Sequence, residues 1–337
     1  MANRIRLADV AKQADVSTAT VSRVLNDKNS VALETRQAVL TALDLLGYER
    51  PERLRERNGG LIGLVLPELT NPIFPIFAQY LQASMVMYDY TPLLGAHEAG
   101  GSTEDAYIDA MLEQHVAGFI FVSGLHADST ASLDRYHRIR ARNIPYVTIN
   151  GHNPNLDAPD FSADDASAVN QALRHLISQG HSRIGLATGQ LRFLPAQAKS
   201  DAFKDAMKAL LPDTSAPQAN TLFTVEGGYA AAQELIAQGC TAIICASDVM
   251  ALGVIRYCHS VGLDVPRDIS VVGYDDSPFI AFTHPPLTTL RQPVKAICGA
   301  AVTTLLSMIN DRTTISNPMK FAPELIVRES TGLAQSK

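Results

Sequence analysis

Apolar residues near the start of the chain recur at helical spacing. Leu7, Val10, Ala11 and Ala14 form one stripe, while Asp9, Lys12 and Gln13 fall on the wet side. Ser17 suits an N-cap, since its hydroxyl can accept a backbone N–H from the next turn, and Val21, Val24 and Leu25 give the following helix its own buried stripe. That leaves Thr18, Ala19, Ser22 and Arg23 facing outward, and residues 34–46 supply a third amphipathic segment to close a small bundle. From residue 61 the pattern changes to short apolar runs alternating with helical stretches. Strands are predicted at 61–67, 92–96, 118–122 and 145–150, with helices at 72–88, 103–114 and 130–141. The pattern then restarts, with helices at 165–179, 196–211, 227–237 and 249–261 and strands at 183–188, 222–225, 242–246 and 269–272. Alternation of this kind means a parallel sheet covered by helices on both faces, here in two subdomains of similar plan.

Between the bundle and the first strand, residues 49–60 read Glu-Arg-Pro-Glu-Arg-Leu-Arg-Glu-Arg-Asn-Gly-Gly, a charged run broken by Pro51 and closed by two glycines. It reads as a hinge between a headpiece, 1–48, and a core, 61–333. Charge divides along the same line. The net charge is −6, yet residues 1–57 hold ten Lys and Arg against eight Asp and Glu, a net of +2 that leaves −8 for the rest. Two helices joined by a tight turn place the N-terminal residues of the second helix against base edges in the major groove. With so small a basic excess, attraction to phosphate depends on placement, and Arg4, Arg6, Arg36, Arg50, Arg53, Arg55 and Arg57 are the candidate donors.

The remaining composition narrows the function classes. A chain of 337 residues, 46% hydrophobic and 18% charged, has room for two or three cores. No segment is apolar enough for a signal peptide or a membrane span, so a cytoplasmic protein is expected. Cys240, Cys245, Cys258 and Cys298 lie in apolar contexts without C-x-x-C spacing and are expected as buried free thiols. The nine His and 34 acidic residues show no metal spacing, and there is no Gly-x-Ser-x-Gly elbow or phosphate loop, so neither an enzyme nor a cofactor is expected. Asp164-Asp165 and Asp275-Asp276 are neighbours whose side chains point apart, which argues against acid/base work within either pair.

The run Leu7-Ala8-Asp9-Val10-Ala11, then Val16-Ser17-x-x-Thr20-Val21-Ser22-Arg23-Val24-Leu25-Asn26, Thr35-Arg36 and Gly47-Tyr48, resembles the lactose-repressor (LacI) family of bacterial transcription regulators. The likeness resumes at Asp248-Val249-Met250-Ala251-Leu252-Gly253, Ile269-Ser270-Val271-Val272-Gly273-Tyr274-Asp275-Asp276 and Pro286-Leu287-Thr288-Thr289-Leu290. It implies an all-α helix-turn-helix headpiece followed by a periplasmic-binding-protein-like α/β core of two doubly wound parallel-sheet subdomains. The chain would cross between them, giving an N-subdomain of about 61–160 and 287–320 and a C-subdomain of about 161–286 and 321–333. The implied function is a homodimeric repressor that binds double-stranded operator DNA and is controlled by a small effector, a sugar or sugar derivative, in the cleft between subdomains.

The resemblance also assigns residues. Thr18 and Ala19 would read base edges, with Arg23 able to fork onto guanine. Leu7, Ser17, Ser22, Asn26, Thr35 and Arg36 complete the DNA surface, chiefly as phosphate contacts that position without specifying. In family members the hinge folds on DNA and wedges an apolar side chain into the minor groove. Here Leu54 is the candidate, but this hinge is a few residues shorter than usual and lacks the Ala-Arg-x-Leu run, so either Leu54 wedges from a shortened helix or the kink is weaker. Phe74, Asn150, Phe223, Ser247 and Asp275 fall at effector positions, with Ser247 replacing a frequent Asn. Lys199 stands where the family has an Arg. A planar fork is thereby exchanged for a point charge, which leaves a phosphorylated sugar, an acid or a small polyol open as effector. Two rival classes remain, a transport-type sugar-binding protein and an enzyme with an accessory DNA arm.

Overall fold

The structure is a computed structural model and describes residues 6–26, 31–48, 59–97, 101–310 and 317–335, with Leu33 by its backbone alone. It forms two compact units, one comprising the N-terminal region to Leu61 with Gln82–Pro92, the other Ile62–Leu81 and the chain from Leu93 onward.

The first unit holds three helices, α1 (Leu7–Gln13), α2 (Thr18–Leu25) and α3 (Leu33–Leu45). Val10, Ala11, Val21, Val24, Val39, Ala42 and Leu43 meet in one core, with Leu7, Ala14 and Val16 packed against it. Asp15 takes a positive φ of 51° in the turn between α1 and α2, a conformation that Asp tolerates better than most residues. Gly47, at φ 69°, ends α3 in the left-handed conformation that favours glycine.

The second unit carries two six-stranded sheets. In the first, β1 (Leu61–Leu66), β2 (Thr91–Ala96), β3 (Gly118–Val122), β4 (Tyr146–Ile149), β5 (Asp160–Ala163) and β11 (Met319–Phe321) lie in the order β11-β5-β4-β3-β1-β2. In the second, β6 (Ile184–Thr188), β7 (Gln218–Asn220), β8 (Ala242–Cys245), β9 (Ser270–Asp275), β10 (Thr288–Arg291) and β12 (Glu324–Ile326) lie in the order β12-β10-β9-β8-β6-β7. β12 runs antiparallel to β10, whereas β6, β7, β8, β9 and β10 pair in parallel. The central strands β1, β3 and β8 are near-continuous apolar runs because helices cover both faces. On the second sheet, α7 (Asp165–Ser178) and α8 (Leu194–Leu210) share one core, and α9 (Val225–Ala237) and α10 (Asp248–Ser260) the other. α11 (Val294–Ile309) packs on β3, β4 and β5 of the first sheet.

The chain passes from one sheet to the other three times: after Ala163, after Arg291, and between Phe321 and Glu324. These crossings correct two expected boundaries. Residues 160–163 belong to the first sheet, and residues 288–291 stay in the second, where Thr289 lies opposite Gly273, so the return begins past Arg291. The tail also divides, since Met319–Phe321 pairs with β5 before Glu324–Ile326 reaches β10. The strand expected at 222–225 lies instead at Gln218–Asn220, because Thr224 caps α9 by accepting the Gly227 N–H at 3.0 Å. The helix expected from residue 130 begins at Asp134. All four cysteines are buried and free.

Candidate functional site

The headpiece presents an exposed helix face and the core a cavity. Ser17 Oγ accepts the Thr20 N–H at 3.1 Å, which fixes where α2 starts and leaves Thr18 and Ala19 exposed on its first turn, with Arg23 exposed one turn on. Ser22 is half-buried and tied to Asn26, whose amide donates to the Ser22 carbonyl at 2.7 Å and to its hydroxyl at 3.2 Å. Thr35 and Arg36 are half-buried at the start of α3, while Leu7 lies partly in the headpiece core. The expected wedge Leu54 lies outside the described residues, as do Arg4, Arg50, Arg53, Arg55 and Arg57.

In the core, a cavity of about 1210 Å³ opens between the two sheets. Phe74, Asn150, Lys199, Phe223, Ser247 and Asp275 all line it. Phe74 comes from the first turn of α4 (Ile73–Val86), and Asn150 follows β4 at a positive φ of 57°. The Phe223 ring rests on Gly189, where a Cβ would come within 2.0 Å of the ring, so only glycine lets it lie there. Ser247 caps α10, its Oγ accepting the Met250 N–H at 3.2 Å; the hydroxyl proton is what it can still offer.

Asp275 ends β9 at a φ of 122°, a strained conformation for a residue with a Cβ, which costs about 1–3 kcal/mol and persists only where the surroundings enforce it. Two neighbours do. Gln292 Nε2 donates to Asp275 Oδ1 at 2.7 Å, and the adjoining Asp276 is gripped by Arg291 and Arg328, both at 2.6 Å. Burial, reinforced by the nearby Asp248 carboxyl, pushes the Asp275 pKa well above the usual carboxylate range. Asp248 itself, taking hydrogen bonds from Ser277 N–H and the Thr289 hydroxyl, is raised by burial to about 6. The Gln292 carbonyl oxygen is buried without a hydrogen-bond partner among the described residues.

Sequence reasoning missed three residues of this wall. Tyr274 and Gln292 line the cavity beside Asp275, and Asp165, the first residue of α7, pairs with Lys199 at 2.8 Å. The neighbouring acids do point apart: Asp164 accepts the Ser167 N–H and caps α7, while Asp165 turns to Lys199.

Residues 6–51 match the bacterial regulatory proteins of the lacI family, and residues 173–331 the periplasmic binding protein-like domain. The chain is 52% identical to the HTH-type transcriptional regulator MalR of Streptomyces coelicolor, over 98% of this chain and 97% of that one. The chain belongs to the LacI family. As such it is a DNA-binding transcription regulator and not an enzyme. Two solved structures share the whole architecture. A transcriptional regulator CelR–cellobiose complex is 26% identical with a TM-score of 0.71, covering 97% of this chain and 100% of that one. The lac repressor dimer bound to operator and the anti-inducer ONPF is 25% identical with a TM-score of 0.70, covering 98% and 100%. Among the described residues of this LacI-family chain, no helix is long and apolar enough to cross a membrane.

Proposed function

We propose that this LacI-family protein is a cytoplasmic, homodimeric repressor whose hold on a pseudopalindromic operator is set by a sugar or sugar derivative bound in the core cavity. The observation that carries the effector site is convergence: six residues scattered from Phe74 to Asp275 in the sequence share the lining of one cavity. Its chemistry suits a polyhydroxylated ligand. Rings at Phe74 and Phe223 offer apolar faces, while Asp275, Asn150 and Ser247 offer hydrogen bonds. A volume of about 1210 Å³ exceeds the usual range for small-molecule pockets, about 300–1,000 Å³, and favours a ligand larger than one sugar ring.

On the DNA side, the exposed first turn of α2 supports base reading by Thr18, Ala19 and Arg23, with phosphate held by Ser17, Ser22, Asn26, Thr35 and Arg36 and flanking contact from Leu7. Leu54 is proposed as the minor-groove wedge. Dimer symmetry would be mirrored in the operator, as two-fold proteins require. The domain plan that goes with this is a headpiece to residue 48, a hinge at 49–60 and a core beyond.

A thermal-unfolding panel of mono- and oligosaccharides tests the effector site. A ligand at a hundred times its dissociation constant adds about 2.7 kcal/mol of stability. Asp275→Asn is expected to lose that gain, because it replaces a carboxyl oxygen that can accept from a ligand hydroxyl with an amide NH2 that can only donate. Full stabilisation of the variant by the same sugar would move the site elsewhere.

A further inference from the structure

The group that stands out in the cavity is Lys199, because its charge is already spent. The residue is 7% exposed, and its ammonium lies 2.8 Å from Asp165 Oδ1 and 4.2 Å above the centre of the Tyr274 ring. Tyr274 donates its hydroxyl to the same carboxylate oxygen at 2.8 Å. Each member therefore fixes another: the carboxylate anchors both the amine and the phenol, and the phenol's ring floors the amine. A buried amine paired in this way presents little net field to the cavity, since its partner is attached to the same protein and needs no further ordering.

Among the described residues, Glu68, Asp160, Asp165 and Asp275 are the carboxyls along the lining and Lys199 and an exposed Lys320 its amines, and burial raises the pKa of Asp160 and Asp275. Asp160 is also committed internally, accepting hydroxyls from Thr148 at 2.9 Å and Ser162 at 2.5 Å. A phosphate or carboxylate entering the cavity meets an amine whose counter-charge is already in place. A hydroxyl meets acceptors.

We infer that Asp165 sets the charge class of the effector: by holding Lys199 over the Tyr274 ring, it commits the cleft to uncharged, hydroxyl-bearing ligands and excludes phosphorylated or carboxylated ones. This rests on the cavity being the effector site proposed above. Asp165 is the first residue of α7, just past the chain's first crossing between the sheets, so the pair also ties that crossing to α8.

Four forms of the full chain test it: wild type, Asp165→Asn, Lys199→Met and the double variant. The probes are sulfate alone, glucose 6-phosphate against glucose, and maltose 6′-phosphate against maltose, each titrated at fixed ionic strength and followed by thermal unfolding and calorimetry. Wild type is expected to show no saturable response to sulfate or to either phosphorylated sugar. Asp165→Asn frees the ammonium and is expected to bind the anionic probes at least tenfold more tightly than wild type, and the double variant to lose that gain because Lys199 supplies the cation. A wild type that prefers a phosphorylated sugar to its neutral counterpart overturns the proposal, as does an Asp165→Asn protein whose anion response matches wild type. If Asp165→Asn does not fold, Lys199→Met decides: anion binding present in wild type and lost in this variant shows that the amine is open to ligands. A cavity that takes none of the sugars counts against the effector reading, while the sulfate titrations still decide the role of Asp165.

Discussion

Arg23 and Arg36 carry the same charge, but their positions give them different work. Arg23 is exposed on α2, one turn beyond Thr18 and Ala19, where a guanidinium fork reaches a base edge; Arg36 sits in the first turn of α3. Arg23→Ala should weaken binding to the operator by about 1–3 kcal/mol while changing random-duplex binding far less. Equal losses on the two duplexes would reassign Arg23 to phosphate. Arg36→Ala should lower both affinities and reduce the slope of log affinity against log salt by about one unit; an unchanged slope would remove it from the contact surface. In the core, Asp248 makes a residue-scale prediction about pH. Its pKa is raised by folding to about 6, so the folded state holds its proton more tightly than the unfolded chain does. Its contribution is therefore fully present below about pH 4 and is lost as pH rises through about 6. Asp248→Asn cannot ionise, so the stability difference between variant and wild type should move in the variant's favour from pH 4 to pH 6. A difference that stays flat across that window, measured by denaturant unfolding, would show that Asp248 is not perturbed.

At the scale of elements, the tightest packing is between α9 and α10. A Cβ at Gly228 would come within 2.0 Å of the Met250 carbonyl oxygen, and one at Gly253 within 2.0 Å of that of Val225. Backbone cannot yield as a side-chain tip can, so Gly228→Ala should force the helices apart and cost about 1–3 kcal/mol or more. A core that unfolds at the wild-type temperature would contradict this. The same pair shows what could be read in advance. The stripe of Val21, Val24 and Leu25, the cap at Ser17 and the apolar strands β1, β3 and β8 follow from local periodicity, and the structure has them. The strand expected at 222–225 fails for a physical reason: Phe223 is apolar because it lines a cavity, and Thr224 because it caps a helix is not a strand residue. The strands β5 and β11 escaped notice because they are four and three residues long and carry Asp160, Ser162 and Lys320. Phe74, Asn150, Lys199, Phe223, Ser247 and Asp275, which the family resemblance singles out, line one cavity. The partner of Lys199 is not singled out, since Asp165 is brought to it by the packing of α7 on α8 and no spacing rule links them.

At the scale of the whole molecule, the account joins a DNA-reading headpiece to an effector-binding core. An effector can shift a DNA-competent population only through its differential affinity for the two states. Linkage then imposes reciprocity: if saturating effector weakens operator binding by some factor, operator must weaken effector binding by the same factor. Allosteric couplings of this kind are typically worth about 1–3 kcal/mol, or about 5- to 150-fold. The most direct measurement takes a sugar that stabilises wild type and determines four affinities: operator with and without saturating sugar, and sugar with and without saturating operator. The account predicts two equal factors of at least about fivefold in wild type, with Asp275→Asn binding operator normally but showing no change on adding the sugar. A sugar that fills the cavity while operator affinity stays constant would show that the cleft does not control DNA binding, and would contradict the account.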